Sequence, residues 1–164
     1  MYQIKLIAHK EITENELNEV VKIKSAQWHY SYNEQLEWIK KNIKDSDIHV
    51  LLSLNGKNVA YLNLIDIDLF IEEMVIKGFG VGNVCAIEKG NGFGFELMKE
   101  VNETIIRLNK VGLLFCKEPL LKYYSSLGWV ELRSTEYKIN CEGSKVMVFN
   151  SRNGSFVRYE GILF

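Results

Sequence analysis

The chain has 164 residues, of which 47% are hydrophobic and 25% charged, with a formal net charge of -1. That length is enough for one domain with a sizeable core. The near-zero charge excludes a general electrostatic pull toward nucleic acid or acidic membranes, and no apolar run is long enough to span a bilayer. No secretory signal is visible, so the chain is expected to be cytoplasmic, with no nucleic-acid or membrane partner. Cys85, Cys116 and Cys141 are widely spaced, and His9, His29 and His49 are scattered, so no metal site is expected. The cysteines read as small buried hydrophobes.

In chain order the first element is a short strand at Ile4-Lys5-Leu6-Ile7. Thr13 with Glu16 forms a capping-box pattern. Leu17, Val20, Val21 and Lys24 then follow helical spacing to about Trp28. Asn33 is the expected cap of a second helix through Leu36, Ile39 and Ile43. Strands over 49–54 and 59–67 flank the turn Asn55-Gly56-Lys57-Asn58. The stretch 70–79 is ambiguous, because Glu72-Glu73 interrupts an apolar run. Val81 to Ile87 reads as a strand entering Lys89-Gly90-Asn91-Gly92-Phe93-Gly94. A helix is expected from Phe95, with Met98, Val101, Ile105 and Leu108 as its apolar stripe. Gly112 to Cys116 reads as a buried strand. Pro119 suits the first turn of a helix ending at Gly128, and the remainder reads as strands and turns.

The glycine run carries the first chemical signal. Glycine permits positive φ and close approach to the backbone, and a helix start supplies unpaired N–H groups and a positive dipole end. Together they form an anion cradle, most often for phosphate. The run lies late in the chain, is spaced GxGxG and lacks a following lysine-serine pair. A dinucleotide fingerprint fits poorly, and a P-loop is excluded.

A second motif, Tyr123-Tyr124-Ser125-Ser126-Leu127-Gly128-Trp129, follows about 30 residues after the loop. With both motifs in this order, the chain resembles the GNAT superfamily of acetyl-CoA-dependent N-acetyltransferases. That family carries an Arg/Gln-x-x-Gly-x-Gly/Ala loop at a helix start and an aromatic-Tyr-x-x-Leu-Gly-aromatic segment after the next strand. Element order supports the resemblance from Ile4 to Trp129, and its specific part is confined to 77–129. Within the superfamily, Gly112 to Trp129 looks most like aminoglycoside acetyltransferase-type members, and no substrate is carried over from that.

The resemblance implies a single α/β domain over 1–164, of the α+β type. It would have a mostly antiparallel mixed sheet, splayed at the fourth strand and flanked by helices. It implies an enzyme that moves an acetyl group from acetyl-CoA to a primary amine of a small molecule, with no metal. Apart from the resemblance, the carboxylates Asp66, Asp68, Glu72 and Glu73 cluster in sequence and would attract a cationic, polyamine-like or aminosugar-like amine, with a solvated loop as the alternative reading. A non-catalytic acyl-CoA sensor and a peptide or protein N-acetyltransferase are the alternatives, and the chain is expected to be a monomer or a homodimer. Lys89, Gly90, Asn91, Gly92, Phe93 and Gly94 would hold the CoA pyrophosphate, Lys89 replacing the usual Arg or Gln. Val84, Cys85 and Ala86 stand at the end of the fourth strand, whose edge would pair with pantetheine. Lys117 joins the same donor-binding set. Tyr124 matches the tyrosine that protonates the departing sulfur.

The general base is missing from its usual place, because Lys77 to Val84 holds no carboxylate. Gly78, Gly80 and Gly82 would line one face of that strand, open to close approach by a ligand or another backbone, or marking a bulge. Deprotonation is then water-relayed or falls to another base; the candidates are Asp66, Asp68, Glu72, Glu73, His29 and the carboxylate of the tail Gly161-Ile162-Leu163-Phe164, each weighed against a solvated or plainly structural role. Trp28, His29 and Tyr30 are candidate acceptor-site residues together with Glu72. For the aromatic segment, helix packing is an equal alternative.

Overall fold

A computed structural model describes residues 1–164. Its strands are β1 (Tyr2–Ala8), β2 (Ile48–Leu54), β3 (Lys57–Ile71), β4 (Met74–Ala86), β5 (Val111–Cys116), β6 (Val130–Glu131), β7 (Tyr137–Ile139), β8 (Lys145–Phe149) and β9 (Val157–Tyr159). The helices are α1 (Glu14–Gln27), α2 (Tyr32–Asn42), α3 (Phe93–Arg107) and α4 (Leu121–Ser126). The sheet order is β1-β2-β3-β4-β5-β8-β6, and β9 pairs with both β3 and β7. The β4–β5 and β7–β9 pairs are parallel, whereas β1–β2, β2–β3, β3–β9, β5–β8 and β6–β8 are antiparallel. No helix is long and apolar enough to cross a membrane. The chain divides into two compact units, Met1–Ile65 with Gly82–Glu100, and Asp66–Val81 with Val101–Phe164.

In the first unit, Thr13 caps α1 through a complete capping box with Glu16. The same signature recurs at Ser31 and Glu34, so Ser31 caps α2, not Asn33. Asn33 lies inside the first turn, where its side chain has no cap to make. Both helices cover a cluster built from Ile7, Val20, Val21, Ile23, Ile39, Ile43, Leu51, Tyr61 and Cys85. Burying each aliphatic side chain of this kind contributes roughly 1.5–3 kcal/mol. The β2–β3 turn is shorter than expected. Leu54 pairs with Lys57, leaving Asn55 (φ 50°) and Gly56 (φ 79°) as a two-residue loop with both residues left-handed.

Polar groups also lie under the helices. Lys24 is buried with its ammonium 4.0 Å from the Trp38 ring centre, and burial pushes its pKa down to about 8. His49 has no solvent exposure. Its Nδ1 is 2.8 Å from the Tyr61 hydroxyl and its Nε2 is 2.8 Å from Nδ1 of His9. Burial, helped by the nearby His9 and Lys24, lowers the His49 pKa to about 4.

In the second unit the ambiguous stretch 70–79 resolves into a hairpin. Glu72 (φ 49°) and Glu73 (φ 63°) form its tip without a glycine. Partners distant in sequence hold them. Glu72 N–H donates to the Phe156 carbonyl, Phe156 N–H donates back to the Glu72 carboxylate, and Arg158 pairs with Glu73. Helix α3 begins at Phe93, two residues before the expected start, so Phe93 and Gly94 are helical. Leu97, Met98, Val101 and Ile105 are its buried apolar residues, whereas Leu108 lies past the helix end and is half exposed. Pro119 sits in a 3-10 turn, Glu118–Leu120, ahead of the short α4. Gly128 (φ 87°) ends that segment as expected of a left-handed C-terminal glycine.

Two measurements check this packing. Ser31→Ala lowers the unfolding free energy by about 1 kcal/mol in denaturant titration, whereas Asn33→Ala stays within about 0.5 kcal/mol. For His49, the unfolded chain takes up a proton below its ordinary value of 6.5, but the folded chain does so only near 4. Stability therefore falls as pH drops from 7 to 4.5, by about 2 kcal/mol from this residue. His49→Gln flattens that slope in a pH series, and an unchanged slope rules His49 out as its source.

Candidate functional site

The donor-binding candidates of the first unit follow one another along the chain. The last bond of the strand region runs from Ile87 N–H to the Val59 carbonyl, at 2.9 Å, and fixes the entry to the loop. Gly90 (φ 86°) and Gly92 (φ 74°) then adopt left-handed backbone, which any other residue resists. A Cβ built at either position meets no heavy atom within 4 Å, so open space lies over both. Asn91 Nδ2 braces the loop by donating to the Glu88 carboxylate at 2.6 Å. The bond from Glu96 N–H to the Gly92 carbonyl opens the ladder of α3, and the amides just before it have no intrahelical acceptor. Lys89 is exposed beside this loop. The arrangement is a run of backbone donors at the positive end of a fifteen-residue helix.

Upstream of the loop, β4 bends at Asn83, whose φ is 54°. Asn83 Nδ2 donates to Asn63 Oδ1 at 2.6 Å, bracing the bend against β3. Asn63 is fully buried and its own Nδ2 has no hydrogen-bond partner. Sequence reasoning missed this pair. Its one local signal is an asparagine inside each of two apolar runs, Leu62-Asn63-Leu64 and Gly82-Asn83-Val84. The Cys85 side chain points into the core under α1 and α2, and burial pushes its thiol up to about 12. It offers a ligand only its backbone. Val84 and Ala86, one residue either side, are partly buried and face the other way.

The aromatic segment of the first unit divides by role. Trp28 caps α1, packs on the core and accepts from Gln35 Nε2 through its carbonyl, while remaining partly exposed. His29 and Tyr30 are exposed in the connection to α2.

The second unit carries Tyr124, on α4. Its ring is buried, with 7% exposure, and meets Tyr123 edge-on at 4.9 Å. Burial raises the Tyr124 pKa above its ordinary value, with Tyr123 and Cys116 adding to the shift. Burial likewise pushes Tyr123 up to about 12. The residues after Tyr124 are tied down through Asn102 of α3. Asn102 Nδ2 donates to the Leu127 carbonyl at 2.8 Å, and Trp129 Nε1 donates to Asn102 Oδ1 at 3.0 Å. Trp129 also fills the room left by Gly112, where a Cβ would come within 2.5 Å of its ring. Asn102 reads from sequence only as a polar helix residue. Lys117 is exposed just after β5.

The acidic candidates of this unit are engaged. Asp66 pairs with Lys110 at 3.7 Å, Asp68 with Lys77 at 2.6 Å, and Glu73 with Arg158 at 3.0 Å. Glu72 holds the hairpin tip. Gly78 and Gly80 do mark close approaches, and their partners belong to this chain. A Cβ at Gly78 would stand 2.7 Å from the Val111 carbonyl oxygen, and one at Gly80 would stand 2.4 Å from the Phe164 ring. The tail bearing Phe164 is irregular, not a last strand.

No protein-family model matches this chain, and no curated protein matches it by sequence. Solved structures do. Escherichia coli ElaA superimposes with a TM-score of 0.66 at 20% identity, covering 91% of this chain and 99% of that one. The ribosomal-protein-S18-alanine N-acetyltransferase of Escherichia coli gives a TM-score of 0.64 at 17% identity, over 100% of both chains. An aminoglycoside 6'-N-acetyltransferase complexed with coenzyme A gives 0.64 at 11% identity, over 89% of this chain and 95% of that one. Taken with the mixed, mostly antiparallel sheet and its flanking helices, these likenesses give the chain the GNAT fold.

Proposed function

We propose that the chain is an acyl-CoA-dependent N-acyltransferase that moves an acetyl group from acetyl-CoA to a primary amine. The observation that carries this reading is the left-handed pair Gly90 and Gly92, with open space above both and a helix start behind them. Backbone amides so arranged fit a pyrophosphate. The fold is shared with a protein solved with coenzyme A bound. Lys89 adds charge beside the loop, and Lys117 is a second exposed cation for the same ligand.

The backbone at Val84–Ala86, just past the bend at Asn83, is the edge for the pantetheine arm. An N–H there polarises the thioester carbonyl. The amine lone pair attacks the carbonyl carbon, the C–N bond forms and the C–S bond breaks. The sulfur takes a proton from the Tyr124 hydroxyl, and solvent restores that proton. The Tyr124 hydroxyl carries its proton through the neutral range, so it has one to give. The attacking nitrogen gives its extra proton to water. Asp66, Asp68, Glu72 and Glu73 have other partners.

The acceptor is not chosen by the fold. The likenesses include one protein named for a ribosomal-protein alanine and another for an aminoglycoside. A non-catalytic acyl-CoA sensor is the second reading. It is favoured by the absence of a carboxylate from β4 and by the Phe164 ring over Gly80.

Saturating acetyl-CoA raises the melting temperature of the wild type. Gly92→Ala reduces that rise, because alanine resists the left-handed backbone. Tyr124→Phe keeps the shift and lowers kcat for CoA thiol release by about a hundredfold. A shift without thiol release by any amine in a broad panel selects the sensor reading. No shift at all contradicts donor binding.

A further inference from the structure

Asn63 is an amide in a place made for an aliphatic side chain. It sits on β3 between Leu62 and Leu64, and all three are fully buried. A primary amide carries one acceptor oxygen and two N–H donors. The Asn63 oxygen accepts from Asn83 Nδ2 at 2.6 Å, but its own Nδ2 has no hydrogen-bond partner. A buried donor left in this way costs free energy that a leucine of similar size would not. Other buried polar groups of the first unit are satisfied. His49 is bonded at both ring nitrogens, and Gln35 Nε2 donates to the Trp28 carbonyl. The exception therefore calls for a reason.

Its position supplies one. The oxygen and nitrogen of a primary amide lie roughly 2.2 Å apart, which puts Asn63 Nδ2 within about 5 Å of Asn83 Nδ2. Asn83 is the left-handed residue at the bend of β4, and Val84 follows it directly. Both are partly exposed, so the unpaired donor borders backbone that a ligand reaches. Asn63, Asn83 and the segment 84–86 all belong to the first unit. The two ends of the Asn63 amide thus differ. The oxygen holds the bend, and the nitrogen is left for an acceptor that the chain does not provide.

Resting on the transferase reading, we infer that Asn63 is a catalytic residue whose Nδ2 donates to the carbonyl oxygen of the acyl group. It acts together with the backbone N–H of the segment 84–86. As the amine lone pair forms the C–N bond, the carbonyl π pair moves onto that oxygen. The pair returns as the C–S bond breaks, and the sulfur takes its proton from Tyr124. Two donors share the negative charge while it lasts. A donor already out of water needs no rearrangement when the charge appears, and its hydrogen bond strengthens as the charge grows.

The test is nuclear magnetic resonance of the isotope-labelled full chain, with the Asn63 side-chain amide assigned through its bonds to the backbone. Two probes are compared at saturation: acetyl-CoA, and S-ethyl-coenzyme A, which has the same arm without the carbonyl oxygen. The Asn63 Nδ2 signals are expected to move with acetyl-CoA and to stay in place with S-ethyl-coenzyme A. The backbone signals of Gly90 to Gly94 move alike with both. Equal movement of the Asn63 signals with the two probes, or none with acetyl-CoA, overturns the assignment and leaves Nδ2 to a resident water. Asn63→Leu, close in size and without a donor, is expected to lower kcat for CoA thiol release about a hundredfold, while coenzyme A still raises its melting temperature. Unchanged kcat in that variant overturns the assignment as well. If the leucine variant does not fold, the wild-type spectra decide alone. Failure of the transferase reading is seen separately, as no melting-temperature shift with acetyl-CoA in the wild type or as binding without thiol release.

Discussion

Strand β4 leaves the extended conformation at Asn83, and the rest of the candidate site depends on that bend. A non-glycine residue at φ 54° inside a strand costs about 1 kcal/mol or more and persists only where its surroundings hold it. Asn63 does so through a 2.6 Å hydrogen bond, while being fully buried itself. Before the bend, β4 runs in register with β5 from Gly78 to Val81. After it, Cys85 turns its side chain into the core of the first unit and the strand continues to the glycine loop. One strand thus gives its first part to pairing with β5 and its last part to the backbone that leads into the glycine loop.

Burial shapes the titrating groups of both units in one way. Lys24, His49 and Cys85 are each pushed toward their neutral forms, and Tyr124 is held protonated. Each loses more by giving up water than its neighbours return as charge interaction. The exposed carboxylates follow the opposite course. They are paired with lysine and arginine at the surface, where such pairs add little stability but do occupy the charge. The acidic run at 66–73 therefore supplies ties within the second unit.

What the sequence made legible was local. Thr13 and Glu16 announced their capping box three residues apart, and the Asn55-Gly56 turn and the Tyr123–Trp129 motif also depend on near neighbours. The misses have two sources. Asn33 is itself a good cap residue and concealed the equivalent box at Ser31 and Glu34. Phe93 and Gly94 read as part of the glycine loop, although the helix begins at Phe93. The other misses are long-range. The turn at Glu72-Glu73 is held from Phe156 and Arg158, more than 80 residues away, and the Gly80 notch is filled by a ring 84 residues later. The alternating glycines of β4 were read as a surface for close approach, with the occupant left open. For Gly78 and Gly80 that occupant is the chain itself, through a carbonyl and an aromatic ring.

The central claim is that the backbone from the end of β4 through the first turn of α3 holds the phosphates and thioester arm of a CoA donor. Amide hydrogen exchange, read with and without saturating acetyl-CoA, tests it residue by residue. The account requires slowed exchange concentrated in residues 84–95. Unchanged exchange across that segment, with binding demonstrated elsewhere or not at all, would contradict it.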